Sequence, residues 1–171
     1  KQIKRAVELL LNAERPIIYS GGGVVQGGAE KELKNMVKTL GYPCTNTLMG
    51  LGGFPASDPL FIGMLGMHGT YESNMAMYEC DVMLAVGARF DDRVTGDLKK
   101  FSPTARIIHV DADPTSIGKN VPVEVPIVGE AKEVLADMQA LIPDGREHSN
   151  TEAIEKWWRR IKEWQSLKSL N

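Results

Sequence analysis

The fold class is indicated first by residues 81–87, which read DVMLAVG. A short apolar run that ends at a glycine is typical of a strand buried on both faces of a parallel sheet. Outward from this run, similar runs that predict strands occupy residues 16–19, 42–45, 105–110 and 124–128. The last contains Pro126, and we expect it near a sheet edge because proline cannot donate to a ladder.

Helical patterns alternate with these strands. Apolar residues spaced three or four apart predict helices at 2–12, 29–40, 70–79 and 130–141. Gly41 is suited to end the second helix, and residues 50–69 are predicted to be a loop. The alternation predicts an α/β protein with a three-layer, Rossmann-like fold and a mainly parallel sheet of about five or six strands. Ligands of such folds bind at the carboxyl ends of the strands.

The length of 171 residues suits one sizeable domain. We assign residues 1–143 to that domain, and residues 144–171 to a polar linker and a C-terminal helix. Trp157, Ile161 and Trp164 share one face of this helix, which we expect to pack on another surface. In a chain that lacks that surface, the tryptophans would stay exposed and favour aggregation. The chain opens without a start Met or a signal peptide, so we expect it to be an excised segment.

Composition limits the partners and compartments to be considered. The 22 acidic and 20 basic residues give a net charge of -2, so nothing favours nucleic acid or an anionic membrane as a partner. No apolar run reaches the roughly 18 residues of a transmembrane helix. Cys44 and Cys80 are too few for a disulfide framework. A reducing cytoplasm fits best, and a plastid or a mitochondrion stays open for a eukaryotic source.

The glycines at 21–23 follow the first predicted strand and are the first candidate for ligand binding. Without Cβ atoms they let backbone N–H groups approach a phosphate. They suit a tight turn from strand to helix equally well, and both interpretations stay open. The dinucleotide motif G-x-G-x-x-G is absent, because three residues separate Gly23 from Gly27.

A second candidate is the glycine-bracketed stretch 65–69, which reads LGMHG. Its backbone is suited to contact a flat ligand. Met67 fits either stacking on an extended ring or filling the core. His68 has no nearby Cys, Asp or second His at ligand spacing, so we exclude a zinc site. A lone histidine is more often structural than catalytic.

A third candidate follows the clearest strand, where a ligand is expected. Arg89 and Arg93 are suited to pair with a pyrophosphate, because guanidinium presents a planar fork of donors. Asp91 and Asp92 would orient these arginines or accept hydrogen bonds from ribose hydroxyls. A solvated, self-paired charge cluster is the alternative.

Carboxylates at two further strand ends complete the candidates. We expect Asp111 to contact a ligand, because an acid at the end of a parallel strand is well placed to accept from a ribose. We expect Asp113 to cap the turn that starts at Pro114. Glu130 suits either the cap of the next helix or contact with a nucleotide. The chain has no nucleophile elbow, P-loop, CxxC or HExxH motif, so we assign a nucleotide cradle, no catalytic residue and no metal ligand.

These motifs together carry a resemblance to a known family. Residues 65–69 (LGMHG), 87–96 (GARFDDRVTG) and 109–111 (HVD) resemble, in this order, the central domain of acetohydroxyacid (acetolactate) synthase catalytic subunits. Residues 21–23 (GGG) and 47–52 (TLMGLG) also match, and the resemblance covers about residues 1–143. The stretch 87–96 is highly specific, whereas the glycine triplet is shared with several thiamine enzymes.

The resemblance implies a six-stranded parallel sheet that holds FAD in an extended conformation. The residues it implies at the cofactor are Gly21, Gly22, Gly23, Thr47, Leu48, Met49, Leu65, Gly66, Met67, His68, Gly69, Gly87, Arg89, Asp92, Val94, Asp111, Ala112, Gly129 and Glu130. Residues 47–49 and 65–69 would lie near the flavin, and 87–94 near the pyrophosphate and flavin. Residues 111, 112, 129 and 130 would meet the adenosine half. Glu130 stands where the family commonly has Asp.

The resemblance also implies the activity of a longer protein. Such enzymes decarboxylate pyruvate on thiamine diphosphate and condense the product with a second 2-oxo acid, in branched-chain amino acid biosynthesis. FAD takes no net electrons in this reaction. The catalytic glutamate and the motif for magnesium and diphosphate belong to other domains, so the segment alone should be inactive. The catalytic subunits assemble as dimers or tetramers with a small regulatory subunit.

Three alternatives stay open beside this interpretation. One is another FAD-containing thiamine enzyme, such as glyoxylate carboligase or pyruvate oxidase, although residues 91–94 (DDRV) argue against both. A second is an NAD-dependent Rossmann dehydrogenase, against which the missing G-x-G-x-x-G argues. The third is a non-catalytic nucleotide-binding module.

Overall fold

A computed structural model describes residues 1–65, 69–90, 102–118, 121–143 and 150–169 of the chain. Its strands are β1 (Pro16–Ser20), β2 (Cys44–Asn46), β3 (Phe61–Met64), β4 (Val82–Val86), β5 (Arg106–Asp111) and β6 (Val125–Val128). Its α-helices are α1 (Gln2–Leu11), α2 (Gly22–Gln26), α3 (Glu30–Leu40), α4 (Tyr71–Glu79), α5 (Ala131–Leu141) and α6 (Thr151–Ser169). Two short 3-10 helices span Leu48–Gly50 and Pro114–Ser116.

The strands form one six-stranded sheet in the order β3-β2-β1-β4-β5-β6, and every pairing is parallel. This confirms the predicted α/β fold class and the predicted edge position of the strand that contains Pro126. The chain winds from β1 outward to β2 and β3, and then returns to add β4 on the other side of β1. The strand order therefore reverses between β1 and β4, which is where open α/β sheets bind ligands.

Two hydrophobic cores, one on each face of the sheet, complete the three layers. The first packs α1, α3 and α5 against residues such as Ile18 and Leu84. The second packs α4 and α6 against Ile17 and Met83. Adjacent residues on one strand thus enter opposite cores, as the two-residue period of a strand requires. Burial on both faces explains why β1 and β4 read as continuous apolar runs.

Strand β3 lies inside the segment 50–69 for which the sequence predicts a loop. Only Ile62 of its four residues is buried. Gly63 has a positive φ of 110°, and the β2–β3 register shifts between Cys44 and Thr45. The strand is apolar at three of its four residues, but it is short, irregular and interrupted by a glycine, and the prediction was wrong at this place.

Helix α6 packs on the domain with the tryptophan face that we expected to be exposed. Trp157 is only 2% exposed, and its Nε1 donates to the Pro16 carbonyl oxygen at 2.9 Å. Its ring meets that of Trp164 edge-on, with centroids 5.9 Å apart. Arg160 forms two hydrogen bonds with the Glu79 carboxylate of α4. The surface that α6 needs lies in this chain, so the expected packing of this face is confirmed and the exposure expected without that surface is wrong.

A buried polar group fixes the start of α6. Asn150 Nδ2 donates to the Ala13 carbonyl oxygen at 2.6 Å and to Tyr42 Oη at 2.9 Å. Burial raises the pKa of the Tyr42 phenol to about 12, so this group stays a neutral donor. It donates in turn to the Leu10 carbonyl oxygen at 2.5 Å. The predicted linker at 144–149 lies outside the described residues, and the division at residue 143 stays a prediction.

Gly41 ends α3 in the left-handed conformation with φ 72°, as predicted for a C-cap glycine. Cys44 and Cys80 are free and buried. Within the described residues no helix combines the length and the apolar character needed to cross a bilayer.

Candidate functional site

A cavity of about 270 Å³ opens at the carboxyl edge of the sheet, next to the point where the strand order reverses. Residues after four strands form its walls. They are Gly23, Gln26 and Gly27 after β1, Gly87 and Arg89 after β4, Val110, Asp111, Ala112, Asp113 and Ser116 at the end of β5, and Glu130 and Ala131 after β6. The volume is at the small end for ligand sites, and it suits one part of a large cofactor.

The glycines of the site let two loops touch through their backbones. A Cβ on Gly23 would lie 2.7 Å from the Gly87 Cα, and a Cβ on Gly87 would meet Gly23 at the same distance. Gly87 also has a φ of 60°, a conformation that side chains disfavour. Any larger residue at either position would force the loops after β1 and β4 apart.

Hydrogen bonds join the same two loops. The Gly21 amide donates to the Val86 carbonyl oxygen at 2.9 Å, and the Gly23 amide donates to the Gly87 carbonyl oxygen at 3.0 Å. These two N–H groups are therefore engaged within the protein and are not directed at a phosphate. The sequence left two interpretations of the glycine triplet open, a phosphate-binding backbone and a tight turn. The structure shows the tight turn. Only Gly23 of the three lines the cavity, and contact of all three with a cofactor stays a prediction.

Among the described residues, three carboxylates and one guanidinium line the cavity. Asp113 Oδ1 accepts from the Thr115 amide at 2.9 Å and from Thr115 Oγ1 at 2.7 Å, which confirms the predicted cap. These bonds, with a smaller effect of Arg89, hold the pKa of Asp113 below its ordinary value. Asp111 Oδ1 accepts from the Asp113 amide at 2.9 Å. Its second oxygen makes no hydrogen bond among the described residues.

Glu130 precedes α5 but does not cap it through its side chain. The residue lines the cavity, and its contact with a nucleotide stays a prediction. Ala112 and Gly87, which the resemblance implies at the cofactor, also lie in the cavity wall, and their contact with a cofactor stays a prediction. Gly129 directly precedes Glu130 but is not part of the wall.

A second group of predicted residues lies at the carboxyl ends of β2 and β3. Thr47 caps the first 3-10 helix by accepting from the Gly50 amide at 3.0 Å. Leu48 and Met49 follow it and are 67% and 70% exposed. A Cβ on Gly22 would lie 3.1 Å from the Met49 Cβ, so this apolar surface adjoins the glycine turn. Leu65 and Gly69 follow β3, and Leu65 is buried in the second core.

The remaining predicted residues lie outside the described residues; they are Gly66, Met67, His68, Asp91, Asp92, Arg93 and Val94. Conversely, sequence reasoning missed Gln26, Gly27, Val110, Ser116 and Ala131 in the cavity wall. Val110 and Ala131 adjoin predicted residues, and the other three lie within five residues of one. In a site built from consecutive turns, only the glycines and the charged residues can be recognised from the sequence. In the described part of the chain no group of three or more His, Cys, Asp and Glu residues could hold a metal ion.

Comparison with known proteins agrees with this architecture. Residues 3–138 match the family described as "Thiamine pyrophosphate enzyme, central domain". The acetolactate synthase large subunit of Buchnera aphidicola subsp. Schizaphis graminum is 49% identical over 169 residues, which cover 99% of this chain and 29% of the relative. Acetolactate synthase isozyme 3 large subunit of Escherichia coli (strain K12) is 47% identical over 169 residues, with the same coverage of 99% and 29%.

An archaeal relative shows a similar likeness over a shorter stretch. The probable acetolactate synthase large subunit of Methanocaldococcus jannaschii is 52% identical over 141 residues, which are 82% of this chain and 24% of the relative. The chain thus spans under a third of the length of these relatives. The match over residues 3–138, on a six-stranded parallel sheet, shows that the chain belongs to the thiamine pyrophosphate enzyme family and is its central domain.

Proposed function

We propose that this domain binds FAD at the carboxyl edge of its sheet, as part of an acetolactate synthase large subunit. The observation that carries the proposal is the cavity beside the strand-order reversal, whose wall combines Arg89 with Asp111 and Glu130. An arginine suits the pyrophosphate of a dinucleotide. Carboxylates at strand ends suit ribose hydroxyls.

The size of the cavity supports an extended ligand that fills it only in part. A volume of about 270 Å³ suits a nucleoside half and is too small for a whole dinucleotide. We assign the adenosine half of FAD to this cavity, with Asp111 and Glu130 as acceptors. The exposed Leu48 and Met49 beside the glycine turn offer an apolar surface for the flavin half.

Within this proposal the residues of the chain bind and orient the cofactor, and they transfer no proton, electron or chemical group. Arg89 would neutralise phosphate charge, and Asp111 would fix the ribose. FAD would act here without net electron transfer. The relatives named acetolactate synthase large subunit support the reaction that condenses pyruvate with pyruvate or 2-oxobutyrate. We assign thiamine diphosphate, magnesium and catalysis to the parts of a longer protein outside this chain, and expect the chain alone to be inactive.

The same resemblance supports the proposed assembly. We propose that the longer protein forms a homo-oligomer, a dimer or a tetramer, and binds a small regulatory subunit. Contacts with the other domains of the same protein would close over the flavin half.

Titration of the purified chain with FAD, followed by flavin fluorescence, tests the cofactor. Saturable binding that Arg89→Ala weakens and that NAD does not reproduce would support the proposal. NAD binding in place of FAD would refute it and favour a dehydrogenase-like module. Absence of FAD binding by the chain, followed by binding to a full-length subunit, would show that the other domains complete the site. Absence in both would remove FAD from the proposal.

A further inference from the structure

His109 is a fully buried histidine whose contacts reach both neighbours of Arg89. Its Nε2 lies 2.9 Å from the Ala88 carbonyl oxygen. Its ring meets the Phe90 ring edge-on, with centroids 5.2 Å apart and planes at 80°. Ala88 and Phe90 are buried, whereas Arg89 between them is exposed and lines the cavity. One imidazole therefore contacts the chain on each side of Arg89, the one arginine that the described residues contribute to the cavity wall.

The hydrogen bond to Ala88 defines the state of the imidazole. A carbonyl oxygen can only accept, so Nε2 carries the proton and donates it. Burial lowers the pKa of His109 below its ordinary value of 6.5, although the Ala88 carbonyl and the Asp111 carboxylate act in the opposite direction. The ring is therefore neutral, and Nδ1 is an unprotonated acceptor. Within the described residues this buried Nδ1 has no hydrogen-bond partner.

A buried imidazole fills this space less favourably than an apolar ring would. A buried acceptor without a partner costs stability, and an apolar ring of similar size would fill the same volume without that cost. An apolar ring would, however, leave the Ala88 carbonyl oxygen without the Nε2 donor. That donor holds a turn which is also tied to β5 by the Gly87 amide, 2.8 Å from the Val110 carbonyl oxygen.

The second wall of the cavity is also within reach of the same nitrogen. Asp111 Oδ2 lies 3.8 Å from His109 Nε2, which is too long for a hydrogen bond but close enough for attraction to the N–H dipole. The other Asp111 oxygen accepts from the Asp113 amide. His109 thus connects the turn that carries Arg89 with the carboxylate on the adjacent strand.

We propose that His109 is a positioning residue of the nucleotide site, which holds the Arg89 turn in register with Asp111. A ligand with phosphate next to its ribose then meets a guanidinium and a carboxylate at a fixed separation. The inference rests on the proposed function and requires no contact between His109 and the ligand. Loss of the donor should therefore weaken the phosphate part of binding and spare the nucleoside part.

A matched pair of variants isolates the donor. Glutamine and methionine are similar in length and volume, but only His109→Gln keeps an N–H group near the position of Nε2. Binding of ADP and of adenosine to the 171-residue chain would be measured by calorimetry for each variant, with thermal unfolding as a check of the fold. His109→Phe replaces His109→Met if the latter does not fold.

We expect His109→Met to weaken ADP binding about tenfold, equivalent to about 1.4 kcal/mol, and to change adenosine binding less than about twofold. His109→Gln should restore most of the ADP affinity. In the double variant with Arg89→Ala, His109→Met should add almost nothing to the effect of Arg89→Ala alone, because the two act through one contact.

Equal losses for ADP and adenosine would overturn the inference, since a general loosening of the fold affects both ligands. Additive effects in the double variant would overturn it as well. Unchanged ADP binding in His109→Met would refute the positioning role and leave the proposed function standing. If the wild-type chain binds neither ADP nor adenosine, the same variants are compared in the full-length subunit, where failure of the wild type to bind either ligand would refute both together.

Discussion

Replacement of Gly87 by alanine should destabilise the domain more than the same change at Gly28. Both glycines have nearly the same φ, 60° at Gly87 and 63° at Gly28. Alanine in this left-handed conformation costs about 1–2 kcal/mol at either position. A Cβ on Gly28 would meet nothing within 4 Å, whereas a Cβ on Gly87 would lie 2.7 Å from the Gly23 Cα and 2.9 Å from the Val24 nitrogen.

The obstacle at Gly87 is backbone, so no rotamer change can relieve it. Overpacking of this kind adds about 1–3 kcal/mol. We therefore expect the free energy of unfolding to fall by about 2–5 kcal/mol in Gly87→Ala and by about 1–2 kcal/mol in Gly28→Ala. Urea denaturation of the two variants beside the wild type measures both values. Equal losses at the two positions would refute the close contact between the loops after β1 and β4.

Three further outcomes are expected. Trp157→Ala should lower the free energy of unfolding by about 3–5 kcal/mol. Leu167→Ala, at a side chain that is 54% exposed on the same helix, should change it by less than about 0.5 kcal/mol. Equal small effects of both variants in urea denaturation would mean that α6 does not pack on the domain. Folding lowers the pKa of His109 below 6.5, so below that pH the unfolded chain binds more protons than the folded chain. The contribution of His109 to stability should therefore be full above pH 6.5 and decline as the pH falls. Urea denaturation at pH 7.5 and at acid pH should show a smaller decline in His109→Gln, and an identical decline would contradict the assignment. Glu130→Gln should weaken adenosine binding by about threefold to tenfold. The midpoint temperature of thermal unfolding should not change, because the Glu130 side chain makes no capping hydrogen bond. A lower midpoint temperature with unchanged adenosine affinity would contradict this prediction.

The central strands could be predicted from the sequence because burial on both faces leaves them few polar positions. Strand β4 is buried at all five residues, and its apolar run needs no tertiary information to be recognised. Strand β3 is also apolar at three of its four residues, but it is short, it lies at an edge, and Gly63 with a positive φ interrupts it. Edge strands of this kind are specified by their neighbours rather than by their own residues.

The docking of α6 could not be predicted for a different reason. An amphipathic face looks the same in sequence whether its partner lies in the same chain or elsewhere. The acceptor for the Trp157 indole is the carbonyl of Pro16, 141 residues away. No residue of the helix itself indicates that partner. The amphipathic pattern therefore predicts which face of the helix is buried, but not the surface on which that face packs.

The charges of the site were easier to predict than its walls. Arg89, Asp111 and Glu130 stand directly after strands that are recognisable by themselves, so parallel topology brings them to one edge. Gln26 and Ser116 reach the cavity only because α2 and the second 3-10 helix turn back over that edge. The direction of such turns depends on backbone contacts, which composition and spacing do not encode.

The same glycines that close the fold also determine how rigid the site can be. Loops after adjacent strands of an open sheet usually move separately, but here Gly23 and Gly87 touch through their backbones and share a hydrogen bond. Gly50 would place a Cβ 2.6 Å from the Ser20 carbonyl oxygen, so the loop after β2 is held against the same point. A ligand at this edge therefore meets walls whose relative positions are set by the sheet before it binds. Little ordering cost remains to be met on association, and affinity then depends mainly on whether the charges of the ligand match Arg89 and Asp111.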